Sequence, residues 1–278
     1  MKTAVIGLGL IGGSLAKSIK SHTSHTVYGI DLDAETMSLA RVCGAIDAPL
    51  TSERLAGCEL ILVALRPAAA VEWVKQNCAD ISKNAVLVDM CGVKRSVCDE
   101  IAPIALENGF SYIGGHPMAG KERGGFVNSC DSLFEGASMI LVPDTRTDMP
   151  MLEKLKNFFL DIGFSQLTFS TAEEHDRIIA FTSQLAHIVS SAYVKSPEAQ
   201  RRRGFSAGSF QDMTRVARLD ENMWTELFMD NADHLSVQLE FLIGSLNEYL
   251  GAIKSGDSAK LCALLKEGKE KKSSAGGK

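Results

Sequence analysis

The sequence lacks a long apolar run, an excess of basic side chains and paired cysteines. Its longest unbroken apolar stretch, Leu60 to Leu65, is far shorter than the roughly 20 residues of a membrane-spanning helix. With 34 acidic and 29 basic side chains the formal charge is −5, which argues against a general nucleic-acid binder. Seven scattered cysteines without a C-x-x-C pair favour reduced thiols in a cytoplasmic protein.

Metal-ligand spacing and a signal peptide are also missing. Four histidines share no ligand spacing with one another or with the cysteines: His22, His25, His175 and His234. We therefore expect no metal site. The apolar start is punctuated by glycines and interrupted by Lys17, so it predicts a strand and a turn instead of a signal peptide. A length of 278 residues with 45% hydrophobic and 23% charged side chains is typical of a soluble, two-domain globular protein.

The first 170 residues alternate short apolar runs with amphipathic stretches. The predicted strands are Thr3–Ile6, Val27–Ile30, Leu60–Ala64, Val86–Val88, Tyr112–Ile113, Met139–Val142 and Gln166–Phe169. The predicted helices between them are Gly13–Lys20, Ala34–Val42, Ala68–Cys78, Lys94–Glu107 and Met151–Ile162. Several strands are apolar on both faces, as in a parallel sheet that helices cover on both sides. We therefore predict an α/β domain with a doubly wound parallel sheet over residues 1–170.

The pattern becomes helical after residue 170. Thr171 opens a capping box, and the helix that follows should run to about Lys195. Because no strand-like alternation recurs, we predict an all-α domain over residues 171–267 that binds substrate and forms a dimer.

A long apolar helix face follows the cap offered by Asp220. Its members are Leu235, Leu239, Leu242, Ile243, Leu246 and Leu250. Such a face serves as a domain core or as a dimer interface. We expect a last short helix over Ser258–Glu267 and a disordered tail over residues 268–278, which are mostly Lys, Ser and Gly.

A glycine-rich fingerprint follows the first strand and consists of Gly7, Leu8, Gly9, Leu10, Ile11 and Gly12. G-x-G-x-x-G between a strand and a helix is the dinucleotide fingerprint of Rossmann-type sheets: its glycines allow a tight turn, pyrophosphate approach and close packing. Asp31 ends the second strand about 20 residues later and favours NAD over NADP by binding the ribose. Arg41 and His25 lie near enough in sequence to weaken that preference, and the alternative interpretation is a glycine-rich turn with an unrelated acid.

The loops that follow the predicted strands Leu60–Ala64 and Val86–Val88 should lie at the carboxyl ends of these strands, where doubly wound sheets bind ligands. We predict that Leu65, Arg66 and Cys91 line the cofactor. Lys94 either holds substrate or simply begins a helix.

His116 stands in the segment Gly-Gly-His-Pro-Met-Ala-Gly after the next strand. Glycines before it and proline after it predict an exposed loop. An imidazole there can take the proton of an alcohol whose carbon loses hydride. The alternative is a histidine that only caps the loop.

Four segments together resemble the prephenate and arogenate dehydrogenase family of tyrosine biosynthesis. They are the fingerprint at residues 7–12, Gly-Gly-His-Pro-Met-Ala-Gly-x-Glu ending at Glu122, Thr-Ser-Gln-Leu-Ala-His ending at His187, and Phe-Gln-Asp-Met-Thr-Arg-Val-Ala over residues 210–217. The match extends over roughly residues 1–265. It implies NAD-dependent oxidative decarboxylation: loss of hydride from a ring alcohol lets CO2 leave and the ring become aromatic.

The resemblance also implies residue roles. His116 matches the family's catalytic histidine, and Arg215 matches an arginine that binds a substrate carboxylate through its forked guanidinium. The other expected substrate-side residues are His187, Glu122, Asp212, Gln211 and Trp224. Glu122 and Asp212 are expected to form an ionic gate with Arg215, whereas the plainer interpretation is a surface pair between Asp212 and Arg215. Plain packing is the alternative for His187 and Trp224.

Two positions depart from the common family pattern. Gly92 replaces a serine whose hydroxyl touches the catalytic histidine or the nicotinamide, and Gln211 replaces an arginine. Asp176, three helical turns before His187, is expected to orient that histidine or the His116 loop.

Two other functions share parts of this pattern. A 3-hydroxyacid dehydrogenase has a similar layout but usually relies on a helical-domain lysine, and a non-catalytic NAD-sensing module would need neither His116 nor Arg215. We expect a homodimer formed by the helical halves, with a small-molecule substrate and no nucleic-acid or membrane partner.

Overall fold

The computed structural model describes residues 1–144, 147–205 and 207–276. Its strands are β1 (Lys2–Ile6), β2 (Thr26–Ile30), β3 (Ala48–Pro49), β4 (Leu60–Val63), β5 (Val86–Asp89), β6 (Ser111–Pro117), β7 (Ser138–Pro143) and β8 (Gln166–Phe169). The helices of the same region are α1 (Leu10–His22), α2 (Ala34–Val42), α3 (Ser52–Leu55), α4 (Pro67–Asn77), α5 (Arg95–Asn108) and α6 (Met149–Asp161). The predicted strands are confirmed within a few residues, and the two-residue β3 is an addition.

The strands form one sheet in the order β3-β2-β1-β4-β5-β6-β7-β8. The order reverses between β1 and β4, so the ligand crevice of a doubly wound sheet lies at their carboxyl ends. The predicted parallel sheet is confirmed except at one pair, because β7 runs antiparallel to β6. The segment between β6 and β7 contains only the 3-10 turn Phe126–Asn128. Without a crossover helix the chain re-enters the sheet at the end where it left, which gives an antiparallel pair.

The central strands are buried on both faces. Leu62 of β4 packs in a core on one side of the sheet, whereas Ile61, the preceding residue, packs in a core on the other side. Successive side chains of a strand point to opposite faces, so a strand between two helix layers is apolar throughout. This explains the continuous apolar runs in the sequence.

The region after β8 is helical, as predicted. It contains α7 (Ala172–Ile179), α8 (Ala186–Tyr193), α9 (Gly208–Thr214), α10 (Glu221–Met229), α11 (Ala232–Ser255) and α12 (Ser258–Ser274). The expected single helix from residue 171 to about 195 is interrupted by a π-helical segment, Ala180–Leu185. The expected disordered tail from residue 268 is wrong up to Ser274, because α12 continues to that residue; Gly277 and Lys278 lie outside the described residues.

The chain divides into two compact units, residues 1–231 and 232–278. Helices α7 to α10 therefore belong to the same unit as the sheet. In the second unit, α11 and α12 pack together, and the Tyr249 hydroxyl donates to the Leu264 carbonyl at 3.1 Å. Among the described helices, none combines the length and apolarity needed to cross a bilayer.

Candidate active site

The glycine fingerprint forms the turn between β1 and α1. Gly7 has a φ of +82°, a left-handed conformation that favours glycine. A Cβ on Gly12 would lie 1.8 Å from the Gly7 carbonyl oxygen, so only glycine lets the helix pack this closely on the turn. A Cβ on Gly9, in contrast, would meet no protein atom within 4 Å. The turn therefore leaves open space at Gly9, where a pyrophosphate would approach the backbone.

The electrostatics of this turn suit a dinucleotide. Gly9 caps the 13-residue helix α1 without a side-chain hydrogen bond, and the first turn carries no acidic residue. Uncapped amides and the helix dipole attract an anion at this position. Asp31, at the end of β2, accepts from the Leu8 amide at 2.7 Å and from the Asp33 amide at 3.0 Å. These residues fit NAD, and Asp31 is held beside the glycine turn by its bond to the Leu8 amide.

His25 lies too far away to influence the ribose site. It precedes β2, whereas Asp31 follows this strand, so the two residues lie at opposite ends of the strand. The His25 ring stacks on Phe158 with centroids 5.9 Å apart. The sequence interpretation of His25 as a residue that weakens NAD preference is therefore wrong.

The expected cofactor-lining loops lie at the carboxyl end of β4 and β5. The Leu65 side chain occupies the space that a Cβ on Gly7 would need, which closes the floor of the turn. Cys91 is buried, and its thiol donates to the Leu65 carbonyl at 3.5 Å. Arg66 is half-exposed and pairs with Asp220 at 3.2 Å. Its charge therefore ties the β4 loop to the start of α10.

Lys94 plays a structural part, and its predicted role as a direct substrate ligand is wrong. Its side chain is fully buried; its ammonium pairs with Asp89 and donates to the Gly115 carbonyl at 2.6 Å. Burial alone lowers the pKa of Lys94, but the Asp89 carboxylate raises it above its usual value. Tyr112 also donates to Asp89, at 2.8 Å. This buried pair fastens β5 to the part of β6 that carries His116.

His116 lies inside β6, so the expected exposed loop is wrong. The two preceding glycines serve close packing: a Cβ on Gly115 would lie 2.5 Å from the Asp89 carbonyl oxygen, and one on Gly114 would lie 2.9 Å from the Cys98 sulfur. The strand therefore sits tightly against β5 and α5. His116 itself is half-buried at the carboxyl end of the parallel part of the sheet.

His116 makes a contact that the sequence interpretation missed. Its Nδ1 lies 2.9 Å from Nε2 of His175, and the two rings meet edge to face with centroids 5.1 Å apart. His175 Nδ1 in turn lies 2.7 Å from Oδ1 of Asp176. Both α7 residues are buried. Asp176 therefore contacts His116 indirectly, through His175. Of the two roles expected for Asp176, orienting His187 or the His116 segment, this contact agrees with the second.

Burial lowers the pKa of both imidazoles, which favours their neutral forms. The pKa of His116 is well below its usual value, first because of burial and then because of the adjacent His175 and the Lys94 charge. Burial also lowers the pKa of His175, although the Asp176 carboxylate opposes this shift. Burial alone raises the pKa of Asp176, but hydrogen bonds from His175 and two backbone amides bring it below its usual value. A neutral imidazole that is linked through His175 to the Asp176 carboxylate is a competent proton acceptor.

Gly92 lies directly beside the other nitrogen of His116. A Cβ on Gly92 would be 3.9 Å from His116 Nε2 and 3.4 Å from the Leu227 side chain. Gly92 therefore places no side-chain hydroxyl next to His116 Nε2, which is where the serine of the common family pattern is expected. Leu227 belongs to α10, so this helix covers the Gly92 loop. The Ala68 amide also donates to Glu226 of α10, at 2.8 Å.

A second cluster is formed by His187 and by Trp224 of α10. The His187 ring stacks on Trp224 with centroids 3.7 Å apart. His187 Nδ1 donates to the Ser183 carbonyl at 2.9 Å, within the π-helical segment. Its pKa is lowered by burial and by the Arg215 charge, against the effect of the Ser183 bond. Trp224 and Leu227 are three residues apart on α10 and share a face, which links this cluster to the Gly92 loop.

The expected ionic gate is not formed in the described part of the chain. Glu122 lies exposed in the segment after β6, and Asp212 and Gln211 are exposed on α9. Neither carboxylate pairs with Arg215, so both the predicted gate and the plainer surface pair between Asp212 and Arg215 are wrong for this structure. Among the described residues, no three His, Cys, Asp or Glu side chains gather as metal ligands.

Two family models match nearly the whole chain. The nucleotide-binding domain of prephenate dehydrogenase matches residues 15–166, and the prephenate dehydrogenase dimerization domain matches residues 171–267. The chain belongs to the prephenate dehydrogenase family. The family model of the nucleotide-binding domain begins after the glycine fingerprint, so the fingerprint geometry is independent support for a dinucleotide site.

Individual family members agree with this assignment. The chain is 28% identical to a prephenate dehydrogenase of Bacillus subtilis, over 97% of this chain and 75% of that protein. It is 30% identical to a cyclohexadienyl dehydrogenase of Zymomonas mobilis, over 95% and 92% of the two chains. A prephenate dehydrogenase structure from Aquifex aeolicus, in complex with hydroxyphenyl propionate and NAD+, superposes with a TM-score of 0.87 at 28% identity, covering 99% of this chain and 98% of that one.

Proposed function

We propose that the protein catalyses NAD-dependent oxidative decarboxylation of prephenate or arogenate. The products are 4-hydroxyphenylpyruvate or tyrosine, together with CO2 and NADH. The observation that carries the proposal is a half-buried His116 with a lowered pKa, whose Nε2 faces the Gly92 loop at the same edge of the sheet as the glycine turn. Membership of the prephenate dehydrogenase family and the named relatives support the substrate class.

His116 would hold the ring alcohol and accept its proton. Bound NAD supplies a hydride acceptor for the carbon that carries this alcohol. Once that carbon becomes a carbonyl, the ring carboxylate leaves as CO2 and its bonding electrons enter the ring, which becomes aromatic. The phenolic oxygen then takes the proton back from His116. The imidazole therefore ends the reaction unchanged, as a general base followed by a general acid.

Arg215 and its neighbours would hold the other end of the substrate. A guanidinium suits a carboxylate because it offers two parallel N–H donors. His187 lies near the Arg215 charge and is stacked on Trp224, so these three side chains form a polar and aromatic wall. We assign them to substrate binding. Glu122, Asp212 and Gln211 stay predicted substrate-side residues on the family match alone.

The cofactor would be bound by the turn at residues 7–12, with Asp31 on the ribose. Leu65 and Cys91 would form the floor of the site, because Leu65 fills the space beneath Gly7 and the Cys91 thiol donates to the Leu65 carbonyl. Arg66 would hold the loop after β4 against the start of α10 through its ion pair with Asp220.

We also propose a homodimer in the cytoplasm, with residues 171–267 as the helical substrate and dimerisation domain. Three side chains of the predicted apolar face of α11 are exposed in the single chain: Ile243 by 49%, Leu246 by 57% and Leu250 by 47%. An apolar face of this kind favours association with a second copy. Free cysteines in the described residues fit a reducing compartment.

A 3-hydroxyacid dehydrogenase is less well supported. That class usually relies on a lysine in the helical domain, and Lys195 is the sole lysine between residues 171 and 231. It is exposed and lies beyond the end of α8. A non-catalytic NAD-sensing module would not need a neutral imidazole at the cofactor edge.

The test is NADH formation, followed by its absorbance, with NAD and prephenate, arogenate or 3-hydroxyisobutyrate in turn. We expect turnover with prephenate or arogenate, loss of turnover in His116→Asn and unchanged turnover in Lys195→Ala. Turnover with 3-hydroxyisobutyrate alone would reject the proposal, and so would NAD binding without turnover of any substrate.

A further inference from the structure

The reactive histidine is the first member of a chain of three side chains. His116 Nδ1 meets His175 Nε2 at 2.9 Å, and His175 Nδ1 meets Asp176 Oδ1 at 2.7 Å. The exposed fraction of His175 is 2% and that of Asp176 is 0%, so water does not compete for these bonds. A polar chain buried to this degree needs each donor matched to an acceptor.

The last member of the chain sets the direction of every bond. Asp176 accepts from the backbone amides of Lys94 and Arg95 at 2.8 and 2.9 Å, which keeps its carboxylate ionised. An ionised carboxylate can only accept hydrogen bonds. His175 must therefore donate from Nδ1, and in a neutral ring its Nε2 must then be an acceptor.

The tautomer of His175 in turn fixes the tautomer of His116. Because His175 Nε2 accepts, His116 must donate from Nδ1, which leaves the lone pair of a neutral His116 on Nε2. That nitrogen faces Gly92, where a Cβ would lie 3.9 Å from it. The missing serine hydroxyl at this position means that no side chain of residue 92 can set the tautomer from the other side.

We propose that His175 and Asp176 are positioning residues that fix His116 in the tautomer with an unprotonated Nε2 directed at the substrate alcohol. His175 touches neither substrate nor cofactor in this arrangement and acts through His116. The inference rests on the proposed function for its catalytic meaning, but the tautomer itself is a property of the free protein.

Two buried side chains, Asn231 and Gln184, hold α7 in place through hydrogen bonds. Asn231 donates to the Asp176 carbonyl at 2.8 Å and to Gln184 at 2.8 Å, and Gln184 donates to the Leu227 carbonyl at 2.8 Å. These bonds connect α7, the π-helical segment and α10. The positions of His175 and of the helix that covers Gly92 are therefore coupled by one network.

The direct test is nitrogen NMR of the full chain labelled at histidine, with long-range proton–nitrogen correlation. The His116 signal, assigned by its loss in His116→Asn, should show a protonated Nδ1 and an unprotonated Nε2 near neutral pH. The opposite tautomer in the wild-type protein would overturn the inference whether or not the enzyme turns over. A correct tautomer in a protein that turns over no substrate would instead reject the proposed function alone.

A matched pair of variants tests the positioning role. In His175→Gln the amide oxygen can take the place of Nε2 and accept from His116, whereas in His175→Asn the shorter side chain cannot reach it. We expect kcat to fall roughly 100-fold in His175→Asn and less than about 10-fold in His175→Gln, with KM for NAD unchanged in both. The His116 tautomer should become mixed only in His175→Asn. Equal kcat in both variants, or an unchanged tautomer in His175→Asn, would overturn the proposal.

Discussion

Replacing Gly9 with alanine should weaken NAD binding while leaving the fold nearly intact. The added methyl group meets no protein atom within 4 Å, and Gly9 already has a φ of −66°. Glycine and alanine differ by only about 0.5–1 kcal/mol at a helix N-cap, so the loss of stability should be small. The methyl group instead occupies the path of the pyrophosphate toward the amides of α1. Loss of one hydrogen bond to a charged group costs about 1.5–3 kcal/mol, or roughly a 10- to 100-fold increase in Kd.

The measurement is NAD titration by calorimetry, together with thermal unfolding of the same samples. Gly57→Ala is the matched control: its methyl group also meets only ordinary contacts, and it precedes β4 at the amino end of the sheet, far from the cofactor edge. Gly12→Ala provides the opposite case, because its methyl group would lie 1.8 Å from the Gly7 oxygen and should lower stability and binding together. If Gly9→Ala binds NAD as tightly as Gly57→Ala, the placement of the pyrophosphate at this turn is refuted.

Four further results are expected. His116→Asn should lower kcat at least 100-fold with unchanged NAD affinity, and a near-normal kcat would remove His116 from catalysis. Because the pKa of His116 is lowered, chiefly by burial, its base form persists on acidification, so kcat/KM should stay level down to pH 6.5; an acidic limb centred above pH 7 would contradict this. Arg215→Ala should raise KM for the cyclohexadienyl acid by roughly 10- to 100-fold, as expected for a lost charged contact, and an unchanged KM would place the carboxylate elsewhere. Lys94→Met should lower the free energy of unfolding in urea by about 3–5 kcal/mol, since Asp89 is left buried and unpaired; a loss below about 1 kcal/mol would contradict the structural role.

Local patterns were enough to predict the sheet and the cofactor turn. The apolar runs of β1, β4 and β5 are short-range signals, and the demands on Gly7 and Gly12 arise from a turn of six residues. The antiparallel β7 was missed because its direction depends on the absence of a crossover helix, not on its own residues.

The site could be predicted in part. His116 was identified from its motif, but its pairing with His175 joins residues 59 positions apart, and only the packing of α7 on the sheet creates it. No local signal separates His175 from an ordinary helix histidine. The burial of Lys94 also depends on tertiary structure, because a lysine in the loop after a strand could equally be an exposed side chain that binds substrate.

A crystal structure of the protein with NAD and a 4-hydroxyphenyl carboxylic acid tests the central claim most directly. We expect the phenolic oxygen within hydrogen-bond distance of His116 Nε2, the nicotinamide against the ring carbon that carries this oxygen, and the acid group on Arg215. A phenolic oxygen bound away from Nε2, or an acid group bound far from Arg215, would contradict it.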